Sequence, residues 1–313
     1  VIPEISEFSY GFALTNELVG WLELFAAPIF PSLLEEGKAG GGYDVKLDSP
    51  GAPLYLQFKR SECMTRRSAR EYRSIRDQGG RLRVPFYRFP ITEAVKSDQH
   101  ELLLALDTLP NHVFYAAPRF HQLSEINDAW RASAVASRSV FVSPSEIGSV
   151  DDARHTVAFD RSYSWVCSDP RPLRALNSRE VLEKLQGTLR EDTRPLRTRL
   201  PALVEELRDA ERRGRERIFE KRRQAEREAE TRRAAPSADQ TFERQMLELE
   251  HFADPIPTLE GRRRLEALET PESTPPATRE PKPLGPEMLA LREASDMAAR
   301  VFDAQLIIVQ PVE

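Results

Sequence analysis

The segment Leu54-Tyr55-Leu56-Gln57-Phe58-Lys59 alternates apolar and polar residues in the manner of a strand. Period-two geometry puts Leu54, Leu56 and Phe58 on one face and Tyr55, Gln57 and Lys59 on the other. Upstream, Tyr43-Asp44-Val45-Lys46-Leu47 alternates too, and the turn signal Asp48-Ser49-Pro50-Gly51 lies between the two runs. The spacing predicts a β-hairpin that gathers the Asp44 carboxylate, the Gln57 amide oxygen and the Lys59 ammonium at one open end of a sheet. Hard cations such as Mg²⁺ take oxygen ligands, often one or two carboxylates with water and phosphate. A lysine beside such an ion can hold an attacking water or neutralise charge developing on phosphorus. The plainer alternatives are a strand-end cap for Asp44 and ordinary exposed strand positions for Gln57 and Lys59.

Several elements are needed to position that group. Ile5 to Phe25 reads as a helix with Phe8, Phe12, Leu14, Leu18, Trp21, Leu22 and Phe25 as its apolar positions. Gly40–Gly42 is a hinge, since no Lys-Ser or Lys-Thr follows to make a phosphate loop. A helix is expected over 97–109 and another over 123–135. Further strands are expected at His112–Ala117, Ser139–Ser143, His155–Phe159 and Tyr163–Cys167. Residues 1–178 therefore predict a mixed α/β domain.

Composition changes near residue 178. Leucines at 182, 185, 189, 196, 200, 203 and 207 describe a seam that a helix could bury against a partner, as in a coiled coil, with Pro195 and Pro201 bending or restarting it. From Arg208 to Arg233, 11 Lys and Arg residues mix with acids on every face, as in a solvated helix. Residues 179–235 thus read as a long charged arm suited to self-association or a protein partner. Residues 236–313 hold a short helix at Thr241–Phe252, a linker with six prolines from Pro271 to Pro286, a helix at Met288–Phe302 and a last strand at Leu306–Val309 that can return to a sheet.

Charge bears on the substrate. From Lys59 to Arg88 there are ten Lys and Arg residues against three acids, or +7 in a chain whose net charge is -5. Arg60, Arg66, Arg67, Arg70, Arg73 and Arg76, with Tyr72, Phe86, Tyr87 and Phe89 interleaved, can follow a phosphate backbone and stack on bases. The competing reading is that these arginines pair with acidic neighbours, because residues 1–58 carry eight acids and two bases.

Asp44, the Gln57-Phe58-Lys59 run and a preceding helix carrying Glu17 together resemble the PD-(D/E)xK nuclease superfamily. The likeness is to the Gln-x-Lys variant of Mrr-type restriction enzymes, and it covers roughly residues 5–145 in element order. The resemblance implies a restriction-endonuclease-like mixed sheet flanked by helices, followed here by the helical C-terminal arm. It also implies metal-dependent hydrolysis of DNA phosphodiesters with Mg²⁺ or Mn²⁺, in a setting of defence against foreign DNA. Residue by residue, it makes Asp44, Gln57 and Glu17 metal ligands, with Glu23 a competitor for the last, and gives Lys59 the attacking water. Two departures stand out: Tyr43 occupies the place of the usual proline, and a neutral glutamine replaces a carboxylate, which weakens the hold on a metal. Two other classes therefore remain open. One is a nucleic-acid-binding module that has lost catalysis, and the other is an interaction protein working through its arm.

Other chemistries are excluded or weaker. A 40% hydrophobic share is enough for a core, and the charge balance excludes a polycation. Cys63 and Cys167 are far apart and predict neither a disulfide framework nor a zinc knuckle. Histidines 100, 112, 121, 155 and 251 lack metal-ligand spacing, and no nucleophile elbow of a serine hydrolase occurs. The stretch from Leu18 to Leu34 is broken by Glu23, Pro28 and Pro31 and cannot span a bilayer, so a cytoplasmic protein is expected.

Overall fold

A computed structural model of the chain describes residues 1–20, 24–29, 45–92, 97–151, 155–234 and 285–312. The first helix, α1 (Glu7–Val19), starts where Ser6 accepts the backbone N–H of Ser9 at 3.0 Å, which satisfies one of the free donors of its first turn. It ends before Gly20, and Leu24–Pro28 is a strand, β1, rather than a continuation of the helix. The buried face of α1 carries Tyr10, Ala13, Leu14 and Leu18. Phe8 and Phe12, expected to face inward, are 82% and 61% exposed.

Two sheets follow. The first takes β1, β2 (Ala52–Phe58), β5 (His112–Pro118), β6 (Ser139–Val142) and β10 (Gln305–Pro311) in the order β1-β10-β2-β5-β6. Within it β2 and β5 run parallel and the other pairs are antiparallel. A parallel pair needs a crossover, and the intervening chain supplies α3 (Gln99–Leu106). The second sheet is antiparallel throughout and takes β3 (Glu62–Met64), β4 (Phe86–Ile91), β7 (His155–Phe159), β8 (Ser164–Val166) and β9 (Arg171–Pro172) in that order. The helix α2 (Arg70–Asp77) lies between β3 and β4 in sequence, and α4 (Leu123–Arg131) and the one-turn α5 (Pro144–Ile147) flank β6. Three helices complete the description: α6 (Ser178–Glu191), α7 (Leu196–Ala234) and α8 (Pro286–Arg300). The chain is thus mixed α/β, with two sheets flanked by helices.

The expected hairpin between Tyr43–Leu47 and Leu54–Lys59 does not form. A strand has two edges, and those of β2 are taken by β10 (Leu54 beside Ile307) and by β5 (Leu54 beside His112). Val45 and Lys46 are non-strand backbone, and Lys46 is instead held at the far end of β10. Its N–H donates to Gln310 Oε1 at 2.9 Å, and its carbonyl accepts from Gln310 Nε2 at 2.8 Å.

Both faces of the first sheet are covered. Leu54 and Leu56 pack with Leu14 and Leu18 of α1 and with Val181 and Leu185 of α6. Tyr55, Tyr115 and Ile308 belong to the other core, with Leu103 of α3, Leu200, Leu203 and Leu207 of α7 and Leu291 of α8. The leucine seam expected to meet a partner is therefore consumed within the chain, because the sheet needs an apolar cover on that face. Pro201 lies inside α7 without ending it. One compact unit comprises Val1–Glu220 with Pro283–Glu313, and a second comprises Lys221–Lys282. The sheets, α6, α8 and the last strand accordingly belong to one unit, without a boundary at residue 178. The expected helix at Thr241–Phe252, most of the Pro-rich linker and the Gly40–Gly42 hinge lie outside the described residues. Among the described residues, no helix is long and apolar enough to cross a membrane.

Candidate functional site

β2 and β5 end side by side because they are parallel, and the crevice beyond the carboxyl ends of such strands is where α/β sheets bind ligands. Lys59 follows the last residue of β2, and its N–H extends the ladder to Ala116 O at 2.8 Å. Gln57 stands opposite Tyr115 in the register. The Lys59 ammonium lies over the Tyr115 ring, 5.6 Å from its centroid, as a cation–π contact. The same tyrosine is fixed by a hydrogen bond of 2.8 Å between its hydroxyl and His100 Nδ1, while His100 Nε2 reaches Gly148 O at 2.7 Å.

Gln57 and Lys59 were expected to be open strand positions, yet they are only 5% and 7% exposed. Burial is costly for each. Among the described residues the Gln57 Oε1 atom has no hydrogen-bond donor, a deficit on the order of 1–3 kcal/mol for a buried acceptor. Burial pushes the Lys59 amine below the usual lysine value, and the negative charges of Glu7 and Asp303 offset part of that shift. Among the described residues, Lys59 forms no ion pair. An under-satisfied acceptor and an unneutralised buried amine thus sit two residues apart at the end of one strand, and such sites are where function is sought.

The carboxylates do not assemble as the motif implies. Asp44 lies outside the described residues. Glu17 is committed elsewhere, its Oε2 accepting the Val135 N–H at 2.7 Å. Glu7, ten residues earlier on α1, is the acid whose field reaches Lys59; at 1.5 Å per residue the two glutamates are about 15 Å apart along the helix. The second acid, Asp303, immediately precedes Ala304 and β10, which runs antiparallel to β2 and so starts where β2 ends. Asp303 takes a hydrogen bond of 2.6 Å from Gln99 Nε2. Neither Glu7 nor Asp303 has a motif around it. Their position follows from the close approach of the Phe58 ring to Gly11 of α1 and from β10, which pairs with β2 across most of the chain's length.

A hard cation fits this group in part. Gln57 Oε1 is a buried oxygen in need of a positive partner, and it matches the ligand type that Mg²⁺ or Mn²⁺ prefers. Among the described residues there is no group of three or more His, Cys, Asp or Glu side chains that could hold a metal ion. Among the other described histidines, His112 Nε2 meets Thr188 Oγ1 at 2.7 Å and His155 Nε2 meets Asp151 Oδ1 at 2.7 Å, while His121 Nδ1 stands 3.1 Å from Glu125 Oε2 without a hydrogen bond.

The basic segment is solvent-facing. Arg60, Arg66, Arg67, Arg70, Arg73 and Arg76 are all exposed, and none forms an ion pair among the described residues. The reason lies in Arg88 on β4. Its guanidinium takes Glu62 Oε2 at 2.6 Å and also pairs with Glu71, so two of the three acids in the segment are already used. Glu71 and Ile75 are the buried residues of α2, which leaves Arg70, Arg73 and Arg76 pointing outward. Only Arg60 and Ser61 separate Lys59 from β3, so this patch begins beside the candidate site.

No family model, curated protein or solved structure matches the chain.

Proposed function

We propose that this protein is a metal-dependent nuclease that hydrolyses DNA phosphodiester bonds at the carboxyl ends of β2 and β5. The observation that carries the reading is the buried, unpaired Lys59 amine beside the donor-less Gln57 Oε1, at the start of a run of free arginines. The unit β2–α3–β5, with the Gln-Phe-Lys run on its first strand and α1 packed against Phe58, supports a restriction-endonuclease-like core. In that reading β3, α2 and β4 are an insertion between the two parallel strands, and β7, β8 and β9, which follow β6, complete their antiparallel sheet.

The side chains divide the work. The exposed arginines draw in and track the phosphate backbone. Burial favours the neutral form of the Lys59 amine. In that form it can take a proton from the attacking water and, as the ammonium, stand next to the charged phosphoryl group as the P–O bond to the leaving strand breaks. A bound Mg²⁺ or Mn²⁺, with Gln57 Oε1 and a carboxylate in its shell, would supply Lewis-acid polarisation of the phosphate and an acidified water. Tyr115 and the His100 contact behind it hold the platform on which the amine rests.

Plasmid nicking with Mg²⁺ or Mn²⁺ tests this. Wild-type protein cuts, and Lys59→Ala loses at least about 100-fold in rate while retaining DNA affinity. Equal cutting by wild type and Lys59→Ala sinks the assignment. Binding without cutting by the wild type leaves a nucleic-acid-binding module, and no binding leaves an interaction protein.

A further inference from the structure

A second group of arginines lies outside the basic segment, two of them where β5 ends and β6 begins in the first sheet and one in the second sheet. Arg119 directly follows β5, Arg138 directly precedes β6, and Arg161 sits in the turn between β7 and β8. The main chain locks the first two together, with Arg119 N–H donating to Arg138 O at 2.8 Å.

Their heads are set in place by groups that carry no negative charge. Arg119 Nη2 donates to Ser137 O at 2.6 Å. The Arg138 guanidinium lies over the Phe120 ring, 5.1 Å from its centroid. Arg119 feels the positive fields of both Arg161 and Arg138, and its pKa is held below the ordinary guanidinium value by burial first and by those two charges next. Among the described residues, none of the three forms an ion pair.

Two acids of the adjoining chain segments, Glu125 and Asp160, already accept backbone N–H groups. Glu125 Oε2 accepts the N–H groups of His121 and Gln122 at 2.8 and 2.9 Å. Both oxygens of Asp160 accept backbone N–H groups, from Arg83, Ser162 and Tyr163. Arg119 is repelled by both of the other guanidinium groups, and with two of the three half-buried and pre-oriented the group is costly without an anion. The planar fork of arginine matches a phosphate better than any other side chain does.

We propose that Arg119, Arg138 and Arg161 form a second phosphate site, which holds the DNA backbone at a fixed distance from the bond attacked at Lys59. The Lys59 N–H bonds to Ala116 O on β5, three residues before Arg119, which directly follows that strand. At 3.3 Å per residue that offset is about 10 Å, roughly three base-pair steps. The assignment rests on the nuclease reading for its ligand, though binding tests it without any cleavage.

The experiment measures affinity for a labelled DNA duplex by fluorescence anisotropy in EDTA, across a series of chloride concentrations. Each lost phosphate contact lowers the slope of log affinity against log salt by about 0.9. The variant with Arg119, Arg138 and Arg161 all changed to Gln loses about three units of slope, and the corresponding triple Lys variant keeps it. Because the triple change touches half-buried positions, the exposed single change Arg161→Gln is measured beside it and loses about one unit. Unchanged slopes in both overturn the proposal. Titration with inorganic phosphate separates the two sources of the anion. Saturable phosphate binding that the triple Gln variant loses, with an unaltered DNA slope, marks a free-phosphate site and overturns the backbone assignment. A protein that cuts nothing but shows the slope change loses the nuclease reading alone. One that cuts DNA with unchanged slopes loses this site alone, and one that binds no DNA loses both.

Discussion

The Phe58 ring fills the space that a side chain on Gly11 would need: a Cβ built there stands 2.7 Å from Phe58 Cδ2 and 3.0 Å from Cε2. The ring also meets Tyr10 edge-on at 6.0 Å, so it has no free direction on the α1 side. This contact seats α1 on the end of β2, between Gln57 and Lys59, and brings Glu7 within reach of the amine. Exchanging a helical glycine for alanine ordinarily stabilises by about 1 kcal/mol. Here the overlap costs about 1–3 kcal/mol and wins. Gly11→Ala is expected to unfold at lower urea concentration than wild type, and a higher midpoint would contradict the packing described.

Lys59→Met removes a buried charge and keeps the length of the side chain. The native amine has a lowered pKa, so below the ordinary lysine value the unfolded chain binds more protons than the folded one. That difference makes the wild type gain stability as pH rises through the interval between the two values. Lys59→Met is therefore expected to be more stable than wild type near neutrality, on the order of 1–2 kcal/mol, with the advantage shrinking toward pH 10. Chemical denaturation at several pH values reads this directly. A destabilised Met variant at every pH would mean that the amine has found a partner.

His112, at the opposite end of β5 from the candidate site, has its pKa lowered to about 4 by burial and by the charge of Lys184. Between that value and about 6.5 the unfolded imidazole is protonated and the native one is not. Stability is accordingly complete above the unfolded value and falls with decreasing pH through this window, by at most about 3 kcal/mol. His112→Gln is expected to flatten this part of the stability–pH curve. An unchanged curve would assign the acid loss to other groups.

Much of the local structure was legible in the sequence, and most of the pairing was not. Period-two alternation identified β2, but alternation reports which residues share a face, not whether that face meets water. The face of β2 that carries Tyr55 is covered by α7 and α8, and Gln57 and Lys59 are buried at its end. The turn after Leu47 exists, yet the strand expected before it is displaced by β10, a partner that local spacing cannot reveal. The leucines from 185 to 207 did mark a buried seam, and only its partner was misplaced. On α1, large aromatic residues at 8 and 12 suggested the inner face, whereas the smaller Gly11 and Ala13 allow close approach to the sheet. The surplus of arginine between 59 and 88 could be counted, but its freedom from ion pairs depends on one residue, Arg88, capturing both Glu62 and Glu71.

β10 sits inside its sheet, between β1 and β2, with Gln305 beside Leu56 and so some 250 residues from it along the chain. At about 5–20 residues per second, a ribosome needs roughly 10 to 50 s to travel that interval. Throughout that time the nascent chain carries Lys59 but not Asp303, and the bare rims of β1 and β2 invite mispairing. Productive folding of this half of the molecule is thereby postponed until synthesis has passed residue 311, and a chain whose synthesis stops earlier has an open central layer and lacks the Asp303 side of the candidate site.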